Sequence, residues 1–423
     1  MISLIIAFFA VSPILLLYTS GYRYDFNSKK IKETGSISID IEPKDANIYI
    51  NDILVKQSMP VRLNNRAPGT YKIRIEKEGF KTWEQNVAVE SSQTVYIKQN
   101  SLLKDRLPEY IEVPSSTPLF LFGSQDQEET FALFKNENGY EFASLKNNDG
   151  KGLETIEVYE KEPNISLSSF HKTALIETKE EETKKLELLS LKNATKKTVH
   201  TTSIEAPLES QWSKRDGEIY LRQSSIIRKK DIYGLDKVLG NAEARLWYVE
   251  YPETIWILKD KVIELLNLSN ISYAVPADTA EIIDINQYRI ITRGSSGFSV
   301  INRMAEEPET TRQIPAEHIY FNATHNEWWV WSDFEFWKIT EKGKTELISR
   351  YAKKIAHIKP LNAEGLSLLV DESGLNAQNP GYAPTQQLYS SEEVTEVEVS
   401  SRDQIIYFIG KLGTKQGLFR LEY

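Results

Sequence analysis

The sequence predicts an all-β protein in three parts: an N-terminal transmembrane helix, a small β-sandwich, and a β-propeller of eight blades, with seven the alternative. Three observations predict it. Ile2 to Tyr18 is an uncharged apolar run. Apolar residues alternate with polar ones between turn signals across residues 35–98. A hairpin pattern then recurs about every forty residues from 109 to 423. The implied segments are an anchor at 1–21, a linker at 22–34, the sandwich at 35–98, a second linker at 99–108 and the propeller at 109–423.

Within the N-terminal run only Ser3, Ser12 and Pro13 interrupt the apolar character. As a helix it would reach about 25 Å, slightly short of a hydrocarbon core of about 30 Å. The expectation is a retained single-pass anchor, because the run is long for a signal peptide and no basic stretch precedes it. A cleaved signal peptide, with Thr19 and Gly21 near the cleavage site, is the alternative. Arg23, Lys29 and Lys30 follow the run, which by the positive-inside rule places the body in the cytoplasm. Large domains translocate largely regardless of flanking charge, so an extracytoplasmic body is the favoured expectation.

The chain has 423 residues, 40% hydrophobic and 26% charged, a globular composition. Aromatic residues make up 11%, which with the β-branched content favours sheet. The net charge of −9 and the lack of a long basic stretch disfavour a nucleic-acid partner. With no cysteine, disulfides, thiolate metal sites and cysteine nucleophiles are excluded.

In the sandwich, Ile37, Ile39 and Ile41 alternate with Ser38 and Asp40, as in a strand buried on one face. The same period returns in Ile48 and Ile50, in Tyr71, Ile73 and Ile75, in Val87 and Val89, and in Val95 and Ile97. Asn51-Asp52, Pro68-Gly69 and Glu78-Gly79 supply the turns. The stretch Glu42-Pro43-Lys44-Asp45-Ala46-Asn47-Ile48-Tyr49-Ile50-Asn51 resembles the opening of a PEGA domain. Ala67-Pro68-Gly69-Thr70-Tyr71-Lys72-Ile73, and Glu78-Gly79-Phe80 followed by Trp83, are similar to later elements of that family. Lys44-Asp45 stands where the family has Glu-Gly, and Asp52 where a Gly is usual. The resemblance implies a surface-associated bacterial module, commonly appended to envelope proteins. Its physical role here would be a spacer or contact module.

Beyond Pro108, Leu133, Leu175, Ile219, Trp256, Ile290, Val330, Leu368 and Ile406 occupy equivalent places in successive hairpins, spaced 34 to 44 residues apart. A period near 40 with about four short strands per unit is the signature of propeller blades. Neither the Gly-His and Trp-Asp dipeptides nor a kelch double glycine is present. The last unit ends one strand short. An unpaired edge invites aggregation, so Tyr110 to Val113 is expected to supply the missing outer strand and close the ring.

No catalytic motif stands out. The histidines, His171, His200, His318, His325 and His357, do not fall at ligand spacing, so no metal or other cofactor is expected. Asn147-Asn148-Asp149-Gly150 reads as a turn rather than a calcium loop. Trp328, Trp329, Trp331, Phe334, Phe336 and Trp337 read as core packing rather than a sugar platform, because both faces of an inner propeller strand are buried. Lys179 to Lys185 reads as a solvated hairpin tip. The seventh unit carries what reads as a long loop, Ser373 to Gln387, in which Asn376, Asn379 and Tyr382 are the candidate partner-binding residues. The functional expectation is a membrane-anchored, non-enzymatic envelope binding or scaffolding protein. Its partners would be the membrane and an envelope polymer or protein. A propeller-fold glycan-active enzyme and a cytoplasmic-facing scaffold are the alternatives.

Overall fold

The computed structural model describes residues 8–9, 11–13, 15–16, 22–25, 30–113, 115–123, 129–146, 152–168, 172–304, 311–379, 382–391 and 393–423. Two compact units emerge, one built on Met1–Leu107 and one on Pro108–Pro380 with Tyr389–Glu422.

The expected N-terminal transmembrane helix is corrected. Among the described residues no helix is long and apolar enough to cross a membrane. Phe8, Phe9, Val11 to Pro13, Leu15 and Leu16 are helical, but Pro13 lacks an N–H for the helix ladder and the apolar run falls short of the bilayer core. The expected linker at 22–34 is also corrected: Tyr22–Asp25 pairs antiparallel with Lys30–Glu33 as a hairpin.

The sandwich packs two sheets face to face. One is three-stranded, with Gly35–Glu42 central, flanked antiparallel by Val61–Arg66 and parallel by Thr94–Ser101. The other orders Ile53–Leu54, Asn47–Ile50, Gly69–Glu76 and Trp83–Val89. The isoleucines that alternate in the sequence, Ile37, Ile39, Ile48, Ile73, Ile75 and Ile97, fill the layer between them. Asn51 and Asp52 turn with φ of 49° and 63°, and Tyr49 opposes Leu54, which is the two-residue hairpin geometry that positive φ permits. The expected linker at 99–108 begins too early: Leu102 and Leu103 are buried, and the Lys81 N–H donates to the Leu103 carbonyl.

From Pro108 onward the described residues form eight four-stranded antiparallel sheets. In chain order, blade 1 spans Ser116 to Tyr159, blade 2 Asn164 to Ser203, blade 3 Leu208 to Asn241 and blade 4 Leu246 to Ala274. Blade 5 spans Glu281 to Ile314, blade 6 His318 to Arg350, blade 7 Ile355 to Ser390 and blade 8 Val394 to Glu422. Each of the eight equivalent apolar positions lies on the second strand of its blade. Those strands are the most buried because neighbouring blades cover both faces. Hydrophobic clusters join blades 1 and 2 through Phe131 and Ile176, and blades 2 and 3 through Leu188 and Ile219. They continue through Tyr220 and Trp247, Trp256 and Ile290, Ile291 and Val330, and Trp329 and Ile358. Blades 8 and 1 meet through Tyr407 and Ala132. Blades 7 and 8 meet through the Lys359–Glu398 ion pair at 2.6 Å, and the sheets close into a propeller-like ring of eight.

Closure is made by Glu109–Tyr110, which pairs antiparallel with Lys415–Glu422 as the outer strand of blade 8. The Ile111 N–H extends the pairing to the Leu418 carbonyl at 2.9 Å.

The expected loop Ser373 to Gln387 is corrected as well. Gly374–Asn379 and Tyr382–Ser390 are the third and outer strands of blade 7.

Candidate functional site

The first strand of each blade faces the ring axis, and polar side chains from several blades converge there. The tightest convergence is on Asp284, at the end of the innermost strand of blade 5. Its carboxylate accepts from the Tyr248 hydroxyl of blade 4 at 3.1 Å, from the Arg289 guanidinium of its own blade at 3.0 Å, and from the Trp328 indole N–H of blade 6 at 3.2 Å. Arg289 is fully buried and also donates to the Thr340 carbonyl. Burial pulls its guanidinium below the ordinary value, and Asp284 opposes that pull. Burial, reinforced by the Asp284 charge, pushes the Tyr248 hydroxyl well above the ordinary phenol, so it stays a neutral donor.

A cavity of about 180 Å³ opens beside this hub. Trp212, Tyr248, Tyr251, Phe321 and Trp328 form its aromatic walls, with Gln211, Lys214 and Asp284 among its polar lining. Trp212 ends the first strand of blade 3, and Lys214 follows in the turn. The Gln211 amide is closed on the backbone of blade 4: its Nε2 donates to the Val249 carbonyl at 2.9 Å, and its Oε1 accepts from the Val249 N–H at 2.8 Å. This strap holds the two walls of the cavity in register.

A second hub spans blades 6 to 8. The Lys359 ammonium of blade 7 pairs with Glu398 of blade 8 at 2.6 Å and lies 4.7 Å from the Tyr320 ring of blade 6. Burial alone would pull Lys359 down, but Glu398, with Tyr320 and Glu396, outweighs it and raises the group. Burial and the like charge of Glu398 push the Glu396 carboxyl up. Burial and Lys359 hold His357 down. Gly123 of blade 1 leaves room for Glu398, whose Oε2 would lie 2.5 Å from a Cβ there.

Other expected site residues disperse. Asn376 is buried, and its Nδ2 donates to Asp371 Oδ1 at 3.1 Å and to the Gly374 carbonyl at 3.2 Å, closing its own hairpin turn. Asn379 is half-buried on the third strand of blade 7, and Tyr382 begins the outer one. His318 stacks on Trp331 at 5.4 Å, and His325 Nδ1 meets Asn322 at 3.2 Å, so the two do not converge. His357 Nε2 lies 3.2 Å from the Thr395 carbonyl, and His200 Nε2 lies 3.1 Å from Gln223 Oε1. Among the described residues no group of three or more metal-ligating side chains forms. His171 and the turn Asn147 to Gly150 lie outside the described residues. Trp329, Trp331 and Phe336 pack between blades 6 and 7, and Trp328 and Trp337 between blades 5 and 6, the packing that alternation on an inner strand predicts. Phe334 is exposed and stands apart from them. The turn after Lys179–Glu180 has Glu181 at φ 32°, a hairpin tip.

Sequence reasoning missed Asp284, Arg289, Lys359 and Glu398. The available signal was an ionisable residue inside an otherwise apolar strand, as in Ile282-Ile283-Asp284-Ile285 and Ile358-Lys359-Pro360.

Residues 34–101 match the PEGA domain family. No curated protein matches the chain. Among solved structures, an oligogalacturonate lyase from Vibrio parahaemolyticus is similar at 11% identity and a TM-score of 0.46, over 73% of this chain and 91% of that one. An uncharacterized protein from Listeria monocytogenes EGD-e is similar at 11% identity and a TM-score of 0.44, over 67% and 98%. A Porphyromonas gingivalis dipeptidyl peptidase 4 is similar at 10% identity and a TM-score of 0.44, over 68% and 55%. Likenesses this weak transfer neither fold nor activity.

Proposed function

We propose that the chain is a non-enzymatic binding or scaffolding protein of the cell envelope, which receives one group of a polymer or protein partner in the aromatic cavity beside Asp284. The state of Asp284 carries this reading. A general acid or base needs a lone pair or proton to spend on substrate. This carboxylate takes three donors, one on Oδ1 and two on Oδ2, from three consecutive blades and is paired with Arg289, an arrangement suited to holding the walls in place. The aromatic walls then supply contact area with little loss of side-chain freedom, as in small-ligand sites. PEGA domains are often extracellular, which supports an envelope location. The test is retention of envelope polymers on immobilised full-length protein, compared with Trp212→Ala and Tyr251→Ala. Retention unchanged by both variants would remove the cavity from the function.

The competing reading, a glycan-active enzyme, has one group in its favour. Among the described residues Glu396 has no hydrogen-bond or ion-pair partner, and its carboxyl is raised by burial, as a catalytic acid requires. Polysaccharide cleavage by the full-length protein that disappears in Glu396→Gln would establish the enzyme and displace the binding reading.

A further inference from the structure

We infer that blade 2 takes an extended strand of a protein partner along an uncovered stretch of its second strand, a role separate from the cavity beside Asp284. The inner strand of this blade, Asn164–Leu167, covers only Ala174 to Glu177 of the second strand, Thr173–Glu180. One step further the register would set Pro163 against Thr178, and proline has no N–H to give to a ladder. Thr178, Lys179 and Glu180 are therefore paired on their outer side alone, with Lys185, Lys184 and Thr183. Among the described residues no other blade leaves more than two second-strand residues uncovered at this end. An open edge is a template for another strand, because its backbone donors and acceptors repeat at the spacing of a peptide and not of a sugar chain.

Space for side chains lies beside the edge. A groove of about 770 Å³ is lined by Thr178 to Thr183 and by Val158 to Lys161 at the end of blade 1, within the ~300–1,000 Å³ range of ligand sites. Tyr159 stands in its wall at 7% exposure, and its hydroxyl has no hydrogen-bond partner among the described residues. Burial, reinforced by Glu157 and Glu187, pushes that phenol up, so it keeps its proton and offers a donor. A hydroxyl-bearing side chain on the groove face of the incoming strand answers it.

The facing charges choose the residue at the centre. Lys179 lies directly opposite Lys184 in the hairpin, a like-charged pair that weakens a ladder. Glu177 answers Lys184 at 3.3 Å, whereas among the described residues Lys179 has no ion pair. An acidic residue opposite Lys179 on the docked strand supplies one.

Ligand-observed NMR titration of the full-length protein at low salt tests the inference with two blocked peptides, acetyl-Val-Thr-Glu-Thr-Val-amide and acetyl-Val-Thr-Lys-Thr-Val-amide. The glutamate peptide should bind about fivefold more tightly, and the order should reverse in Lys179→Glu. Alternate N–H groups of a strand face the edge it pairs with. Of two further peptides, one N-methylated at the glutamate and one at both threonines, one should lose binding and the other keep it within about twofold. Tyr159→Phe should weaken the glutamate peptide about threefold. Equal affinity for the two charged peptides overturns the acidic residue, and an affinity unchanged in Tyr159→Phe overturns the groove contact. Retention of both N-methylated peptides overturns strand pairing, and failure of every peptide to bind overturns the site. A dimer in sedimentation that dissociates in Lys179→Glu assigns the edge to a second copy and overturns the separate partner.

Discussion

Truncating Tyr110 to alanine should loosen the ring at its one junction between chain ends. Tyr110 pairs with Phe419 in the outer strand of blade 8, and the two rings meet edge to face at 5.3 Å. The Lys415 ammonium lies 5.1 Å from the Tyr110 ring. Gly417, at φ +152°, leaves the space the tyrosine fills: a Cβ there would come within 2.9 Å of Tyr110 Cε2. The Glu109–Arg420 ion pair beside it, at 2.5 Å, has an exposed carboxylate and contributes less than about 0.5 kcal/mol. Tyr110 is 38% exposed, so it buries on the order of 100 Å². At ~25 cal/mol per Å² this is about 2.5 kcal/mol with its ring contacts included. Unfolding entropy near 2.1 cal/mol/K per residue gives about 0.66 kcal/mol/K for the roughly 315 residues of the ring. Tyr110→Ala should therefore lower its Tm by about 4 °C in a calorimetric scan. Tyr233→Ala, at a position 90% exposed, is the control and should shift nothing. A Tyr110→Ala melt within about 1 °C of that control would refute the latch.

Three further outcomes follow from the same structure. Asp284→Ala leaves the Arg289 charge buried and uncompensated, and should cost about 3–5 kcal/mol in urea denaturation, whereas Glu281→Ala at the exposed start of the same strand should cost far less. Glu396 has a carboxyl raised in the folded state, so its contribution favours folding in acid and is lost as pH rises from the ordinary carboxyl range through its folded pKa. Glu396→Gln should thus match the native chain near pH 3 and melt higher near neutral pH; a gap that stays constant with pH would contradict the assignment. Asp52→Gly, at φ 63° in the hairpin turn where glycine is unstrained, should stabilise the sandwich by about 0.5–1 kcal/mol in calorimetry of the full chain.

How much of this was legible in the sequence depended on whether one strand carried the signal. The period near 40 was readable because each second strand is apolar on both faces, as in Phe131 to Phe134 and Ile255 to Leu258. The sandwich strand Val61–Arg66 escaped notice because only Val61 and Leu63 alternate before Asn64-Asn65 ends the pattern, with Asn65 at φ 59°. Ser373 to Gln387 misled for a different reason. Leu375, Asn376 and Ala377 are all buried on the strand, but Asn376, Gln378 and Asn379 give the stretch the composition of a loop. Asn376 is there to close a turn through Asp371. The cavity was unreadable in principle, since Trp212, Tyr251 and Trp328 come from three blades and meet only after the ring closes.

The proposed binding role falls to the cavity lining rather than to the two hubs. Eight inner strands enclose a wider axis than a few would, and short apolar side chains cannot reach across it. Lys359, on the first strand of blade 7, and Arg289, on the second strand of blade 5, each end in a charge answered by a carboxylate, Glu398 or Asp284. Buried pairs of this kind add little net stability, because desolvation offsets the attraction. Each hub nevertheless touches three consecutive blades, so each sets the register of neighbours that otherwise meet through interchangeable apolar faces. A group committed to register cannot also respond to a ligand without loosening the blades it joins. The proposed recognition then falls to the aromatic lining of the cavity beside Asp284, to which Trp212 and Tyr251 belong.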